Sequence, residues 1–348
     1  MHSTDIIALF VIVIAASSVA ALATPVLTNF LYRHRLGKQI RDARETPIFS
    51  ALHAAKAATP TMGGVLVWGT TLILLAAGWM LARVNQSDFF QSLNFWSRSE
   101  TYLPAAALLG AALIGLVDDF FNVRQRGAHG GGLRVRHRLL LYAGIALLGA
   151  LWFYFKLDWT TLHIPFVGNF DIGAWYIPLF ILVIVATSFS VNEADGLDGL
   201  AGGLLLAAFV AFGGIAVIQG KYDLAAFIAA IVGSLTAFLW FNIPPARFFM
   251  GDTGAMGLGV TLGVIAMLTN SALLLPVIGL LFVVESASVI IQVASKKFRG
   301  KKVFLSSPLH HHLEAKGWSE SKIVMRSWII GALTAVIGII IVLLERLP

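Results

Sequence analysis

The sequence predicts an all-α, polytopic integral membrane protein: about ten transmembrane helices in a single integral membrane domain over residues 1–348, with both termini outside. Three observations carry that prediction. Apolar residues make up 58% of the 348 positions and charged residues only 12%, half of the ~25% that coats a soluble domain. The apolar residues fall in continuous runs near the ~20 residues a helix needs to cross a bilayer, not in the alternating pattern of a membrane barrel. Lys and Arg, finally, are spread one-sidedly over the loops between the runs. A soluble globular protein is thereby excluded, and so is disorder, which needs low hydrophobicity and high charge. Cysteine is absent, which removes disulfides, thiolate metal sites and cysteine catalysis.

Splitting the chain at polar clusters gives the spans in order. The first, 6–31, has no basic residue before it and is longer than a signal-peptide core of about 7–15 residues, so it is read as a retained span. The others are 62–82, 101–117, 139–155, 174–191, 200–218, 223–240, 256–270, 272–295 and 327–344; the run at 101–117 is short, and 256–295 can be read as one broken unit. With the N-terminus outside, the inside loops are 32–61, 118–138, 192–199, 241–255 and 296–326. Those loops and the span ends beside them hold 20 of the 25 Lys and Arg, leaving only Arg83, Arg98, Lys156, Lys221 and Arg346 outside. This is a strong positive-inside signal, and it requires an even number of spans. Trp96, Trp159 and Trp175 fit an interfacial belt. The net charge of +7 is therefore one-sided. It fits a bilayer and a phosphate-bearing substrate as partners and calls for no nucleic acid.

The acids are sparse, so their places inform. Asp118 and Asp119 end the third span in VDDFFNVRQR, Asp195 and Asp198 lie in NEADGLDGLAGG, and Asp252 lies in FFMGDTGAMGLG. All three segments belong to the inside set, so five carboxylates from separate loops converge on one rim. A lone Asp such as Asp42 reads as a cap or a solvated charge. Adjacent acids beside a bilayer are costly without a partner. Oxygen ligands at that rim suit Mg²⁺, and Mg²⁺ suits phosphate chemistry. Lys56, Arg124, Arg126 and Arg138 supply cations in adjacent inside loops, and glycines after the acids lead into helices whose N-termini can face phosphate.

Two features remain. His310, His311 and His312 in SSPLHHHLEAKGW can act as acid or base, as metal ligands or as phosphate contacts, but adjacent residues point apart and cannot share one role. Glu285 sits inside a span, far along the chain from the inside rim, and is expected to be hydrogen-bonded in a structural role. The run KKFRGKK between Lys296 and Lys302 reads as a lipid-headgroup or topology anchor.

TPTMGG (Thr59–Gly64), VDD (Val117–Asp119), DGLDGLA (Asp195–Ala201), FFMGDTG (Phe248–Gly254) and PLHHHLEAKGW (Pro308–Trp318) occur in that order. On these motifs the chain, from about Lys38 to Ile330, resembles the phospho-N-acetylmuramoyl-pentapeptide transferase (translocase I) family of the polyprenyl-phosphate hexose-1-phosphate transferase superfamily. The acidic motifs are shared across the superfamily; TPTMGG and the HHH loop point to the muramoyl-pentapeptide branch. The resemblance implies ten transmembrane helices in the bacterial inner membrane, an active site facing the cytoplasm, Mg²⁺ as cofactor and a homodimer. It implies transfer of phospho-MurNAc-pentapeptide from UDP-MurNAc-pentapeptide to undecaprenyl phosphate, giving lipid I and UMP for peptidoglycan synthesis. By motif it makes Asp118, Asp119, Asp252 and His311 catalytic, Asp118 by deprotonating or orienting the lipid phosphate, with Asp252 as the Mg²⁺ ligand and Asp118 and Asp119 as further metal residues. Asn192, Asp195 and Asp198 would hold the nucleotide; Asn242 and Phe249 would contact the uridine, Phe249 by stacking; Lys56, Thr61, His310 and His312 would border the substrate.

The chain departs from the family pattern at Asn122, where DDxxK has Lys, at FSVNEA (Phe189–Ala194), where NAVNLT is usual, and at Arg136-His137-Arg138, where the family has Arg-x-Lys. Arg124 or Arg126 is expected to compensate for the Lys missing at 122, on proximity in sequence. The nearest alternative function is a sister GlcNAc-1-phosphate transferase. An ion-coupled transporter is the rival of another class, but it would place its ionisable groups near the bilayer midplane.

Overall fold

The computed structural model describes residues 3–37, 56, 59–97, 100–126 and 131–347. Lys38, Arg41, Asp42, Arg44 and Arg98 lie outside the described residues. The helices run α1 (Ser3–Arg33), α2 (Val65–Val84), α3 (Asp88–Ser92), α4 (Tyr102–Val123), α5 (Val135–Lys156), α6 (Tyr176–Ala194), α7 (Leu200–Ile218), α8 (Tyr222–Asn242), α9 (Gly251–Leu268), α10 (Leu275–Ile278), α11 (Leu280–Arg299), α12 (Leu309–Ala315) and α13 (Glu320–Leu344). The strands β1 (Thr161–Ile164) and β2 (Gly168–Asp171) form an antiparallel hairpin between α5 and α6, with Leu162 opposite Phe170. Among the described residues nine helices are long and apolar enough to cross a membrane. The pair Ala272–Ile278 and Leu280–Arg299, bent by 84°, makes a tenth if taken as one broken span. The expected 272–295 span is that broken pair.

Helix α9 is the axis of the bundle and is buried along nearly its whole length. It can be buried so completely because it is apolar on every side and carries small residues where its neighbours cross. Gly257 lies on Ala112 of α4, and Gly259 lies on Ser188 of α6. From the other side Gly115 of α4 lies against the backbone of Asp252 and Thr253. Around this axis, α8 is wedged among α1, α2 and α7, α5 packs on α6, and α13 packs on α7. The outer helices turn apolar side chains outward, as at Phe10, Ile14, Leu22 and Val26 of α1. Such a surface is a liability in water and matches the acyl chains of a bilayer.

The loops assigned to the outside gather at one end. The Glu345 carboxylate, just past α13, lies 3.1 Å from His163 Nε2 in the hairpin and accepts the backbone N–H of Phe166. The Asn270 side chain accepts the His163 N–H at 3.1 Å, and Glu100 accepts that of Leu224 at 3.0 Å. The opposite end carries Asp118, Asp119, Asp198 and Asp252.

Helix α4 continues to Val123, beyond the expected end of its span at 117. DDFFNV contains neither Gly nor Pro, and both acids find partners, so nothing stops the helix at Asp118. Asp118 and Asp119 therefore sit in the last turns of a rigid helix and not in a loop.

Candidate active site

The site is assembled by a backbone clasp. TPTMGG runs beside FFMGDTG and exchanges main-chain hydrogen bonds with it: Phe249 N–H donates to Pro60 O, Gly63 N–H to Phe249 O and Gly64 N–H to Met250 O, each at 2.8 Å. The approach is close enough that a Cβ on Gly64 would collide with the backbone of Gly254. Gly251 adopts φ +73°, the left-handed region that favours glycine. The clasp ends by delivering the N-terminus of α9, with Asp252 in its first turn.

Four helix ends meet there, around Arg138 in the first turn of α5. Its Nε lies 2.8 Å from Asp118 Oδ2, and its Nη2 lies 3.2 Å from Asp252 Oδ2. Nη1 donates to Asn192 Oδ1 at 3.1 Å, and Asn192 Nδ2 donates to Asp252 Oδ1 at 2.6 Å. Asp118 is fully buried, and its Oδ1 accepts the Leu133 N–H. The Asp118–Arg138 contact is a charge pair without hydrogen-bond alignment, since Asp118 Oδ2 and Arg138 Nε are both buried without a hydrogen-bond partner. Asp119 turns the other way. Its Oδ1 accepts from Thr61 Oγ1 at 3.1 Å, and its Oδ2 accepts the Thr253 N–H at 3.0 Å. It thus caps, from another helix, a backbone donor that the first turn of α9 cannot satisfy.

One guanidinium between two carboxylates leaves an excess of negative charge, which favours a further cation. Among the described residues no three or more His, Asp or Glu side chains are grouped to hold a metal by themselves. Mg²⁺ does not require that, because it is usually bound through one or two carboxylates together with substrate phosphates. Asp118 and Asp252 are such a pair, and Asp118 Oδ2 meets Arg138 as a charge contact without a hydrogen bond. The residues present therefore fit the ion.

Beside this centre lies the DGLDGLA loop. Asp198 is buried and fully engaged: Oδ1 lies 2.8 Å from Lys56 Nζ, and Oδ2 accepts the Ala246 N–H at 3.1 Å. Lys56 also pairs with Glu320 at 2.6 Å, and Glu320 accepts the Asp198 N–H at 2.8 Å. Buried Asn242 ties the two acidic motifs together, accepting from Gly199 N–H at 3.0 Å and donating to Phe248 O at 2.8 Å. Asp195 closes the C-terminus of α6, and Phe249 is half-buried at the clasp.

The histidines sit on α12, and against expectation the His310 and His311 rings touch, their centroids 4.1 Å apart, although each ring meets a different acid. Buried His310 meets Glu285, with Nδ1 at 3.0 Å and its backbone N–H at 3.2 Å from Oε2. His311 Nδ1 lies 2.6 Å from Glu314, while His312 Nδ1 accepts the Leu305 N–H at 3.1 Å. Desolvation, with nearby Lys316, makes His312 harder to protonate. Glu285 is hydrogen-bonded as expected, but it is not remote from the rim, because the broken span brings α11 against the histidine loop.

The residues expected to compensate for the Lys missing at 122, Arg124 and Arg126, lie at the C-terminal end of α4 and just beyond it. Both are exposed, and Arg124 lies over the Phe120 ring at 5.3 Å. The extended α4 carries them past the acids, and the cation among the acids is Arg138. Sequence reasoning missed Glu320 and the pairing of Glu285 with His310. It counted Arg138 among the nearby cations without seeing that it links three motifs. An acid opening a span, at Glu320, was the available signal.

Residues 102–270 match the family model described as Glycosyl transferase family 4. Relatives named phospho-N-acetylmuramoyl-pentapeptide-transferase align over most of the chain. That of Geobacillus thermodenitrificans is 40% identical over 95% of this chain and 98% of its own length. That of Anoxybacillus flavithermus is 39% identical over 93% and 94%, and that of Chloroflexus aurantiacus 37% over 92% and 85%.

Proposed function

The chain belongs to the phospho-N-acetylmuramoyl-pentapeptide-transferase family, and from that premise we infer that it transfers phospho-MurNAc-pentapeptide from UDP-MurNAc-pentapeptide to undecaprenyl phosphate, giving lipid I and UMP. It is a multi-pass membrane protein. The observation that carries a phosphotransfer reading is the convergence of Asp118, Arg138, Asn192 and Asp252 from four helices on one point. In the reaction an oxygen of the lipid phosphate bonds to the phosphorus that bears MurNAc, the bond from that phosphorus to UMP breaks, and UMP leaves with the displaced oxygen.

The residues divide that task by position. Asp118, held by Leu133 N–H and facing Arg138, orients the lipid phosphate or takes its proton. Arg138 offers a planar fork of N–H groups to the diphosphate, a geometry that suits bidentate phosphate contact. Asp118 and Asp252 would hold Mg²⁺, which would supply neutralisation of the phosphate charge. Asp119 fixes the start of α9 and so the place of Asp252. Asn192, Asp195, Asp198 and Asn242 shape the nucleotide pocket, Phe249 stacks on the uracil, and Lys56, Thr61 and the histidine loop border it. The acidic end faces the cytoplasm of the bacterial inner membrane, consistent with the side that the basic residues mark, and the chain works as a homodimer.

Purified protein given Mg²⁺, undecaprenyl phosphate and UDP-MurNAc-pentapeptide is expected to release UMP, and chelation by EDTA is expected to stop release until Mg²⁺ is restored. Release with UDP-GlcNAc alone would assign the sister activity, and release with neither would return the transporter reading. Arg126→Ala is expected to leave KM and kcat within about twofold, as for an exposed side chain away from the site. Lys56→Ala leaves buried Asp198 without its cation and is expected to weaken donor binding by about tenfold or more in KM.

A further inference from the structure

Glu285 and His310 form a buried acid–imidazole pair in which the transfer reading gives Glu285 no task. Glu285 is 6% and His310 1% exposed. An ionised carboxylate only accepts, so the 3.0 Å contact to Nδ1 and the 3.2 Å contact to the backbone N–H are both donated by His310. The Nδ1 bond orients the ring and places its proton on Nδ1, while the backbone bond to the same Oε2 holds the carboxylate in place. Nε2 is then the basic nitrogen, and it is buried without a partner. It abuts Gly196, where a Cβ would collide with the ring tip, so the free nitrogen points at the loop between Asp195 and Asp198. A buried ring nitrogen left unpaired is costly, and such an exception calls for a partner in the working state.

We propose that Glu285 is a positioning residue that holds His310 as the Nδ1–H tautomer, so that Nε2 accepts a hydrogen bond or a proton from a hydroxyl or acidic phosphate group of the nucleotide-sugar substrate at the Asp195–Asp198 loop. The proposal rests on the transferase reading for its substrate, while the tautomer itself does not depend on it. The carboxylate acts through the ring and touches no substrate.

Two measurements test it on the full-length protein. In a double-mutant cycle, Glu285→Ala is expected to lower kcat by about tenfold or more with little change in KM, and Glu285→Ala with His310→Ala is expected to be no slower than His310→Ala alone, because a partner acting through His310 has nothing left to orient. Losses that multiply, or a Glu285→Ala protein with normal kcat and only a lower Tm, would overturn it. Glu285→Gln, which keeps size and an acceptor, serves if the alanine variant does not fold; a kcat loss with little change in KM supports the proposal and a wild-type kcat overturns it. Nitrogen NMR of ¹⁵N-histidine-labelled protein without substrate reads the tautomer directly. The signal removed by His310→Asn should be an Nδ1–H imidazole in the wild type and should change in Glu285→Gln; an Nε2–H signal would sink the proposal. If the wild type releases no UMP, the transferase reading fails and the NMR outcome still decides the tautomer.

Discussion

Asp118→Asn and Asp252→Asn are each expected to lower UMP release by about 10²-fold or more, in line with loss of a general base or a metal ligand. The substitutions test chemistry more than folding. Asparagine keeps the carbonyl oxygen that accepts the Leu133 N–H at position 118, and at 252 it keeps an oxygen for Asn192 Nδ2. Each variant removes one of the two carboxylate charges on Arg138. Asp118 is the more demanding position because it is fully buried and its partner Arg138 stays behind. Removing one partner of a buried ion pair is destabilising even with Asp252 still beside the guanidinium, so Tm is to be measured beside the rate. The expected pattern is a large fall in turnover in protein that still melts cooperatively, with Asp252→Asn requiring more Mg²⁺ for its residual activity. Near-normal rates in both variants would sink the mechanism.

The elements that position this site were legible in the sequence to the extent that they follow from local pattern. The apolar runs became helices because a span must satisfy its backbone internally, and the acids fell at one end because they interrupt those runs. The ends of elements were less legible. The span at 101–117 ran on as α4 to Val123, since the polar pair Asp118–Asp119 marks an end by composition while Arg138 and Thr61 satisfy it in space. Glu285 looked remote for a related reason. Distance along a straight span says nothing of a span bent by 84°. The role of Arg138 was hidden because its three contacts come from residues 20, 54 and 114 positions away. The resemblance of motifs gave candidates for the site, whereas which carboxylate faces the guanidinium and which caps α9 depends on helix rotation that no motif records.

Gly64→Ala is expected to lower UMP release about as severely, ~10²-fold, although residue 64 touches no substrate, because a misplacement of about 1 Å at the reacting groups costs that much. The added Cβ would collide with the Cα and N of Gly254, two residues beyond Asp252, and backbone cannot give way as a side-chain tip can. Overpacking of this kind typically costs about 1–3 kcal/mol, and here the strain falls on the segment that carries Asp252. Gly251→Ala adds a second insult at the same clasp. Its φ is +73°, and its Cβ would fall 2.5 Å from both Asp119 Oδ2, which accepts the Thr253 N–H, and Thr61 Oγ1, which donates to Asp119 Oδ1, so the new methyl crowds both of the contacts that hold Asp119. Gly69→Ala, on the helix that Gly64 precedes, is the control. It has nothing within 4 Å of its Cβ, and alanine is the better helix former by about 1 kcal/mol, so rate and Tm should hold or rise. If Gly64→Ala instead matched Gly69→Ala in both rate and Tm, the clasp between TPTMGG and FFMGDTG would not be what places Asp252, and the helix packing of α4 on α9 would have to carry that task alone.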